Sequence, residues 1–258
     1  MKAGTRLLLL CTDSTSTRLL YNAVEQQFGW CGVVVEQRVS SKHLLRGRLR
    51  KLGARVVANQ MAFQLAVQKP LAWLARPRVK ELIAESGLSD SPISERHRTD
   101  VASINSPEVP ALLAELKPDL IVVHGTRIIA RALLSVLPCP IVNLHAGITP
   151  RYRGVHGGYW ALHEGRPELC GSTLHLVDAG IDTGKVLEQR TFRPGPDDHF
   201  GVYPTLHAAT SSRLLVDWLS QWDGSPPRVT EPMSDPAPLR YHPGLSQYLM
   251  GWWLYGVK

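Results

Sequence analysis

At 258 residues, with 44% hydrophobic and 20% charged residues, the chain has the length and composition of one globular core with at most a small appendage, which excludes a disordered or fibrous protein. No apolar run is long enough to cross a bilayer, and the N-terminal run lacks the length and cleavage site of a signal peptide, so a cytoplasmic protein is expected. The net charge of +7 admits an anionic substrate, a nucleic acid or an acidic membrane surface.

Residues 6–11 form a short apolar run of strand length, and the Thr/Ser-rich stretch 12–17 offers several helix N-caps. Leu19, Leu20, Ala23 and Val24 then fall at helical spacing, and residues 31–36 form a β-branched buried run. Strand, helix and strand at this spacing predict a βαβ unit opening a parallel sheet. The first turn has no glycine, so it does not offer the close backbone approach to phosphate that a standard dinucleotide site needs.

Residues 42–100 read as a basic helical insertion. Lys42, Arg46, Arg48, Arg50, Lys51 and Arg55 lie among leucines, residues 60–75 are apolar with helical spacing, and Arg76, Arg78 and Lys80 follow. One reading is a solvated basic face; the other is a surface that meets an anionic acceptor or a membrane interface. Residues 86–99 read as a polar loop.

Ser106 as N-cap and Pro107 at the first helical position predict a helix through Leu116. Residues 120–124 read as a buried strand ending at Gly125, residues 128–136 as a short helix, and residues 140–142 as the strand that delivers Asn143 and His145. Ligand sites in open α/β sheets lie beyond the carboxyl ends of the strands, so 125–127 and 143–145 are expected in one crevice. A helix near 156–164 is followed by alternating runs at 172–177 and 185–192, an antiparallel hairpin with Asp182 in its link. A helix over 205–222 closes a domain of residues 1–223; residues 224–258 form a Pro-rich linker and an aromatic appendage. The fold class is α/β, a mainly parallel twisted sheet with an antiparallel hairpin and a helical insertion.

The chemistry concentrates in two motifs. Asn143 and His145 share one face of a strand, and an amide and an imidazole can both serve a developing oxyanion. A neighbouring carboxylate such as Asp182 favours a charged imidazole that can move a proton. Taken singly, a turn asparagine, a core histidine and a loop aspartate are equally natural readings. Cys11, Cys31, Cys139 and Cys170 are widely spaced, and His124, His156, His163 and His175 lack metal-ligand spacing, so no metal site is expected.

Asn-x-His at 143–145, Pro-x-Tyr-Arg-Gly at 150–154 and Asp-x-Gly-Ile-Asp-Thr-Gly at 178–184 together resemble the folate-dependent formyltransferases, over roughly residues 106–222. The resemblance implies the Rossmann-like formyltransferase fold and transfer of a formyl group from 10-formyltetrahydrofolate to an amine. It implies catalytic roles for Asn143, His145 and Asp182, and a folate pocket built from Gly125, Arg127 and Ile128 on one side and Ala179, Gly180 and Ile181 on the other. Arg151, Tyr152 and Arg153 are candidates for acceptor contact, and a cis bond is expected at Thr149-Pro150.

Within that family, the phosphate turn of glycinamide ribonucleotide transformylase is absent. The 36 residues after Trp222 are fewer than the C-terminal domain of methionyl-tRNA formyltransferases, and no standard nucleic-acid-binding domain is read. The expected acceptor is therefore a small-molecule amine, with an amino sugar on a nucleotide favoured. Glycinamide ribonucleotide or methionyl-tRNA formylation, formyltetrahydrofolate hydrolysis and a non-catalytic binding protein on the same fold are the alternatives. The basic insertion and Trp-rich tail mark a peripheral membrane or subunit contact.

Overall fold

The structure is a computed structural model that describes residues 2, 4–137 and 139–258. The chain runs β1 (Leu7–Cys11), α1 (Thr15–Glu25) and β2 (Gly32–Glu36), then four helices, α2 (Ser41–Leu52), α3 (Ala54–Phe63), α4 (Lys69–Leu74) and α5 (Arg76–Glu85). It continues through β3 (Arg98–Val101), α6 (Val109–Leu116), β4 (Leu120–His124), α7 (Arg131–Leu134), β5 (Ile141–His145) and α8 (Gly157–His163). β6 (Gly171–Leu176), β7 (Val186–Thr191), α9 (Tyr203–Gln221) and α10 (Leu245–Tyr255) complete it.

The strands form one seven-stranded sheet in the order β3-β2-β1-β4-β5-β6-β7, the first five parallel and the last two pairings antiparallel. β1 is buried along its whole length because helices cover both faces. Leu7, Leu9 and Cys11 pack with Leu20 and Val24 of α1 and Leu215 of α9, whereas Leu8 and Leu10 pack with Val109 and Leu113 of α6. That alternation follows from the two-residue period of a strand. Ser14, in the Thr/Ser-rich first turn, caps α1 by accepting from the Thr17 amide at 3.2 Å.

Two local expectations change. Residues 98 and 99, expected at the end of a polar loop, open the edge strand β3; Arg98, Thr99 and Asp100 stay polar because an edge strand pairs on one side only. The buried Ile93 anchors the segment before it. The helix expected from Ser106 begins at Val109, since Ser106 closes a turn in which its carbonyl accepts from the Val109 amide at 3.1 Å.

A third core joins the insertion to the C-terminal segment. Phe63 of α3, Tyr159 of α8, Phe200 and Tyr248 of α10 share it, with the Phe63 ring 4.9 Å from Phe200 and 5.2 Å from Tyr248.

Candidate functional site

β5 carries the site because its side chains alternate between the α9 face and the crevice. Val142 and Leu144 enter the main core, while Asn143 and His145 turn toward a cavity of about 470 Å³ over the carboxyl ends of β4 and β5. His145 is 7% exposed, more buried than a residue expected in an open cleft. Its Nε2–H donates to the Tyr152 carbonyl at 2.7 Å, and its Nδ1 lies 3.4 Å from Asp182 Oδ2. Both ring nitrogens therefore face oxygen atoms.

Asp182 reaches this position through the chemistry of its loop. The Asp178 carboxylate accepts from the Gly180 amide at 2.9 Å and from the Thr183 hydroxyl at 2.7 Å, folding the turn back on itself. Gly180 leaves room for the Thr183 side chain, and Gly184 lets the chain pass against the Leu176 carbonyl. Asp182 itself holds φ +50°, a left-handed conformation that aspartate tolerates better than most residues. Its Oδ2 accepts from the Gly154 amide at 2.9 Å. Gly154 in turn, at φ +97°, lies against the Arg240 carbonyl, so a strap from the C-terminal segment backs the aspartate's hydrogen-bond donor.

His175, read from sequence as an ordinary histidine, belongs to the same cluster. The antiparallel register places it opposite Asn143, and the Asn143 amide donates to its Nε2 at 3.1 Å. Its Nδ1–H donates to the Leu176 carbonyl at 2.8 Å, which fixes the neutral tautomer with Nε2 as acceptor. Burial holds the ring below the ordinary histidine range, and the charge of His145 pushes the same way, against the Leu176 carbonyl and Asp182. The signal available in the sequence was the hairpin itself, since alternate residues Thr173 and His175 must share one face of the sheet.

The wall formed by Gly125, Arg127 and Ile128 is set by a buried acid that the sequence reading passed over. Glu36, at the end of β2, is 3% exposed; it accepts from the backbone amides of Arg127 at 2.6 Å and Ile104 at 3.1 Å, and its Oε2 lies 2.8 Å from Arg127 Nε. The Arg127 guanidinium also donates to the Gln37 and Ala102 carbonyls. It is thereby occupied in holding its own loop, and the Ile128 side chain, 61% exposed, faces outward beside it. At the end of β4, His124 lines the cavity with its Nδ1 3.0 Å from the Thr17 hydroxyl, and burial pushes its pKa down to about 4. Gly180, Ile181 and Asp182 form the opposite wall; Ala179 does not line the cavity.

Arg151, Tyr152 and Arg153 are not brought to the cleft. Tyr152 is fully buried with its hydroxyl donating to Glu164, Arg151 pairs with the same carboxylate at 3.1 Å, and Arg153 donates to the Ala237 carbonyl at 3.0 Å. What this segment offers the site is backbone: the Tyr152 carbonyl and the Gly154 amide. Thr149-Pro150, which brings the turn back toward β6, is cis. Among the described residues no group of histidine, cysteine, aspartate and glutamate is placed to hold a metal ion.

Comparison with known proteins places this geometry. A stretch of the chain is 37% identical over 126 residues to the methionyl-tRNA formyltransferase of Geobacter metallireducens, covering 48% of this chain and 38% of that protein. The corresponding enzyme of Thermosynechococcus vestitus is 34% identical over 149 residues, covering 57% and 44%. The chain thus aligns with less than half the length of these curated relatives. Among solved structures, a sugar N-formyltransferase from a Shewanella species shares the fold with a TM-score of 0.55 at 14% identity, covering 95% of this chain and 78% of that one. A phosphoribosylglycinamide formyltransferase from Streptococcus pneumoniae does so with a TM-score of 0.52 at 18% identity, covering 83% and 96%. The formyl transferase family model matches residues 6–215, a span that takes in both walls of the cleft together with Asn143, His145 and Asp182, and the chain is a member of that family.

Proposed function

We propose that the cleft transfers a formyl group from 10-formyltetrahydrofolate to the amine of a small-molecule acceptor, an amino sugar on a nucleotide being the favoured class. The single observation that carries this reading is the convergence of Asn143, His145 and Asp182 in one cavity, with Asp182 Oδ2 3.4 Å from the His145 ring. The cavity's size and its mixed lining of backbone groups and the exposed Ile128 suit a flat heteroaromatic donor held by its edges. Gly125 to Ile128 and Gly180 to Ile181 would hold that donor, which supplies an activated formyl carbon. Asn143 donates through its amide to the formyl oxygen as negative charge develops there, and His175 orients that amide. His145, paired with Asp182, reaches the same oxygen through Nε2–H once that hydrogen leaves the Tyr152 carbonyl, and relays the amine's proton to the tetrahydrofolate nitrogen as its bond to the formyl carbon breaks. Asp182 keeps the imidazole oriented, and the Gly154 amide keeps Asp182 in place.

The names of the curated relatives favour a second reading, in which the amine belongs to methionyl-tRNA. One experiment separates these readings: absorbance-monitored turnover of 10-formyltetrahydrofolate against amino-sugar nucleotides, glycinamide ribonucleotide and methionyl-tRNA. Turnover dependent on an amino-sugar nucleotide is expected; turnover with methionyl-tRNA alone assigns the second reading. Formate release without any amine assigns a hydrolase, and silence with no folate binding by calorimetry refutes formyl transfer.

A further inference from the structure

Charge is distributed unevenly along the chain. Of its 29 lysines and arginines, 11 fall between Gln37 and Lys80, a stretch without a single aspartate or glutamate; the rest of the chain sets 18 basic against 22 acidic residues. The whole positive excess therefore resides in α2 to α5 and the turn before them. The same segment exposes apolar side chains. α2 has no buried residue, its leucines occupy one arc of the helix and its lysines and arginines most of the other, and Leu44 is 53% exposed. Trp73, at the end of α4, is 63% exposed.

α10 extends this surface. It is seated on α3 through the Phe63–Tyr248 ring contact and a 2.8 Å hydrogen bond from Asn59 to Ser246. α2 is tied to the same body by Arg48, which donates to Gln60 of α3 at 2.6 Å, and by Lys51, which lies over the Tyr241 ring. α4 and the chain's last residue meet one turn, with Gly201 against the Leu71 carbonyl and the Phe200 amide donating to the Lys258 carbonyl at 2.8 Å. Trp253 of α10 is 82% exposed and Leu254 51%.

We propose that this combined α2–α4 and α10 face docks on an anionic lipid bilayer. A surface that mixes exposed tryptophan and leucine with unneutralised lysine and arginine is what an acidic bilayer interface recognises, through headgroup charge and shallow insertion of the apolar side chains. The contact is peripheral, because no helix among the described residues is long and apolar enough to cross a membrane. A second copy of the chain is the poorer partner, since a two-fold interface would press an acid-free surface against itself. An RNA is poorer too, since base stacking would engage the exposed tryptophans but leave Leu44 and Leu254 in water. Lipid docking of this face does not depend on formyl transfer.

Co-sedimentation of the full chain with vesicles tests it. Binding to phosphatidylcholine–phosphatidylglycerol vesicles is expected, with none to phosphatidylcholine alone and loss at high salt. Arg46→Gln with Arg50→Gln should weaken partitioning about twentyfold, and Trp253→Ser with Leu254→Ser about tenfold, each with an unchanged melting temperature. Absence of binding to anionic vesicles, equal binding to neutral ones, or full binding by both double variants would overturn the proposal. So would a lipid-free dimer in sedimentation velocity that disappears with Trp253→Ser and Leu254→Ser, or RNA binding without vesicle binding.

Discussion

The β5–β6 wall and the α2–α5 insertion with its partner α10 are built on opposite principles. In the wall, polar groups are buried and each is matched: His145 to Asp182 and a carbonyl, Asn143 to His175, and Asp182 to the Gly154 amide. In the insertion, leucines and tryptophans stand in solvent and, from Gln37 to Lys80, the lysines and arginines have no acids in their own segment. The wall is overdetermined internally, as a preorganised site must be, because its donors have to be aimed before charge develops. The insertion is underdetermined internally and points outward, which is the property of a surface that finishes its contacts elsewhere.

The contrast makes the wall intolerant of change and the outer face tolerant of it. The largest effect on turnover is expected at the wall's centre: Asn143→Ala or His145→Ala should each lower kcat by about 10²–10³-fold in the tetrahydrofolate-release assay. Full activity in either variant would break the assignment. The largest effect on stability is expected from Glu36→Ala, which leaves the Arg127 and Ile104 amides and the Arg127 Nε without their acceptor and should cost about 2–3 kcal/mol in a urea titration. Near-wild-type stability there would mean that the β4 loop holds itself.

Gly154→Ala is intermediate and tests the joint between the two regions. A Cβ at φ +97° is strained and meets the Arg240 carbonyl, so about 1–2 kcal/mol of destabilisation is expected together with lower kcat, as Asp182 loses its amide donor. A loss of stability with kcat intact would uncouple the strap from the site.

Acid should find the seam between the start of α8 and the C-terminal segment. Burial holds the pKa of His156 down to about 3 and that of His242 to about 4, and the two rings meet at 2.9 Å. The unfolded chain protonates both near the ordinary value of 6.5 while the fold does not. Their contribution is therefore intact above about pH 6.5 and is lost progressively as pH falls toward 4, by about 1.4 kcal/mol per pH unit for each ring. His124 and His207, lowered to about 4 and 3, add to the same slope. Urea midpoints at pH 7.5, 6 and 5 would show the slope, and His242→Gln should flatten it. The smallest effect belongs to the outer face: Trp253→Ser should leave folding stability within about 0.5 kcal/mol, read as the same urea midpoint.

What could be read directly from the sequence was whatever repeats or alternates within a dozen residues. The Leu7–Cys11 run announced a strand covered on both faces, and Asn143-Leu144-His145 announced two side chains on one face with a packing residue between them. The glycines and aspartates of 178–184 announced a tight turn between alternating runs, and the three motifs together pointed to the family. Strand β3 was hidden because Arg98-Thr99-Asp100 carries the polarity of a loop, and only pairing with β2 makes it a strand.

The rest depended on residues far apart in the chain, for which no local period exists. His175 meets Asn143 only once β6 lies antiparallel to β5 in one register, and a shift of one residue would turn it to the other face. Glu36 finds Arg127 across 91 positions, and Arg240 comes against Gly154 in a parallel bridge that no spacing encodes. Arg151, Tyr152 and Arg153 show the reverse case: polar side chains in a motif, assigned to the acceptor by type, that packing against Glu164 and the strap turns away from the cleft. Local periodicity is a property of neighbouring residues and survives in the linear chain. Which buried polar group satisfies which other is settled by the exclusion of water from a folded core, where every donor must find its acceptor at whatever sequence distance the topology provides.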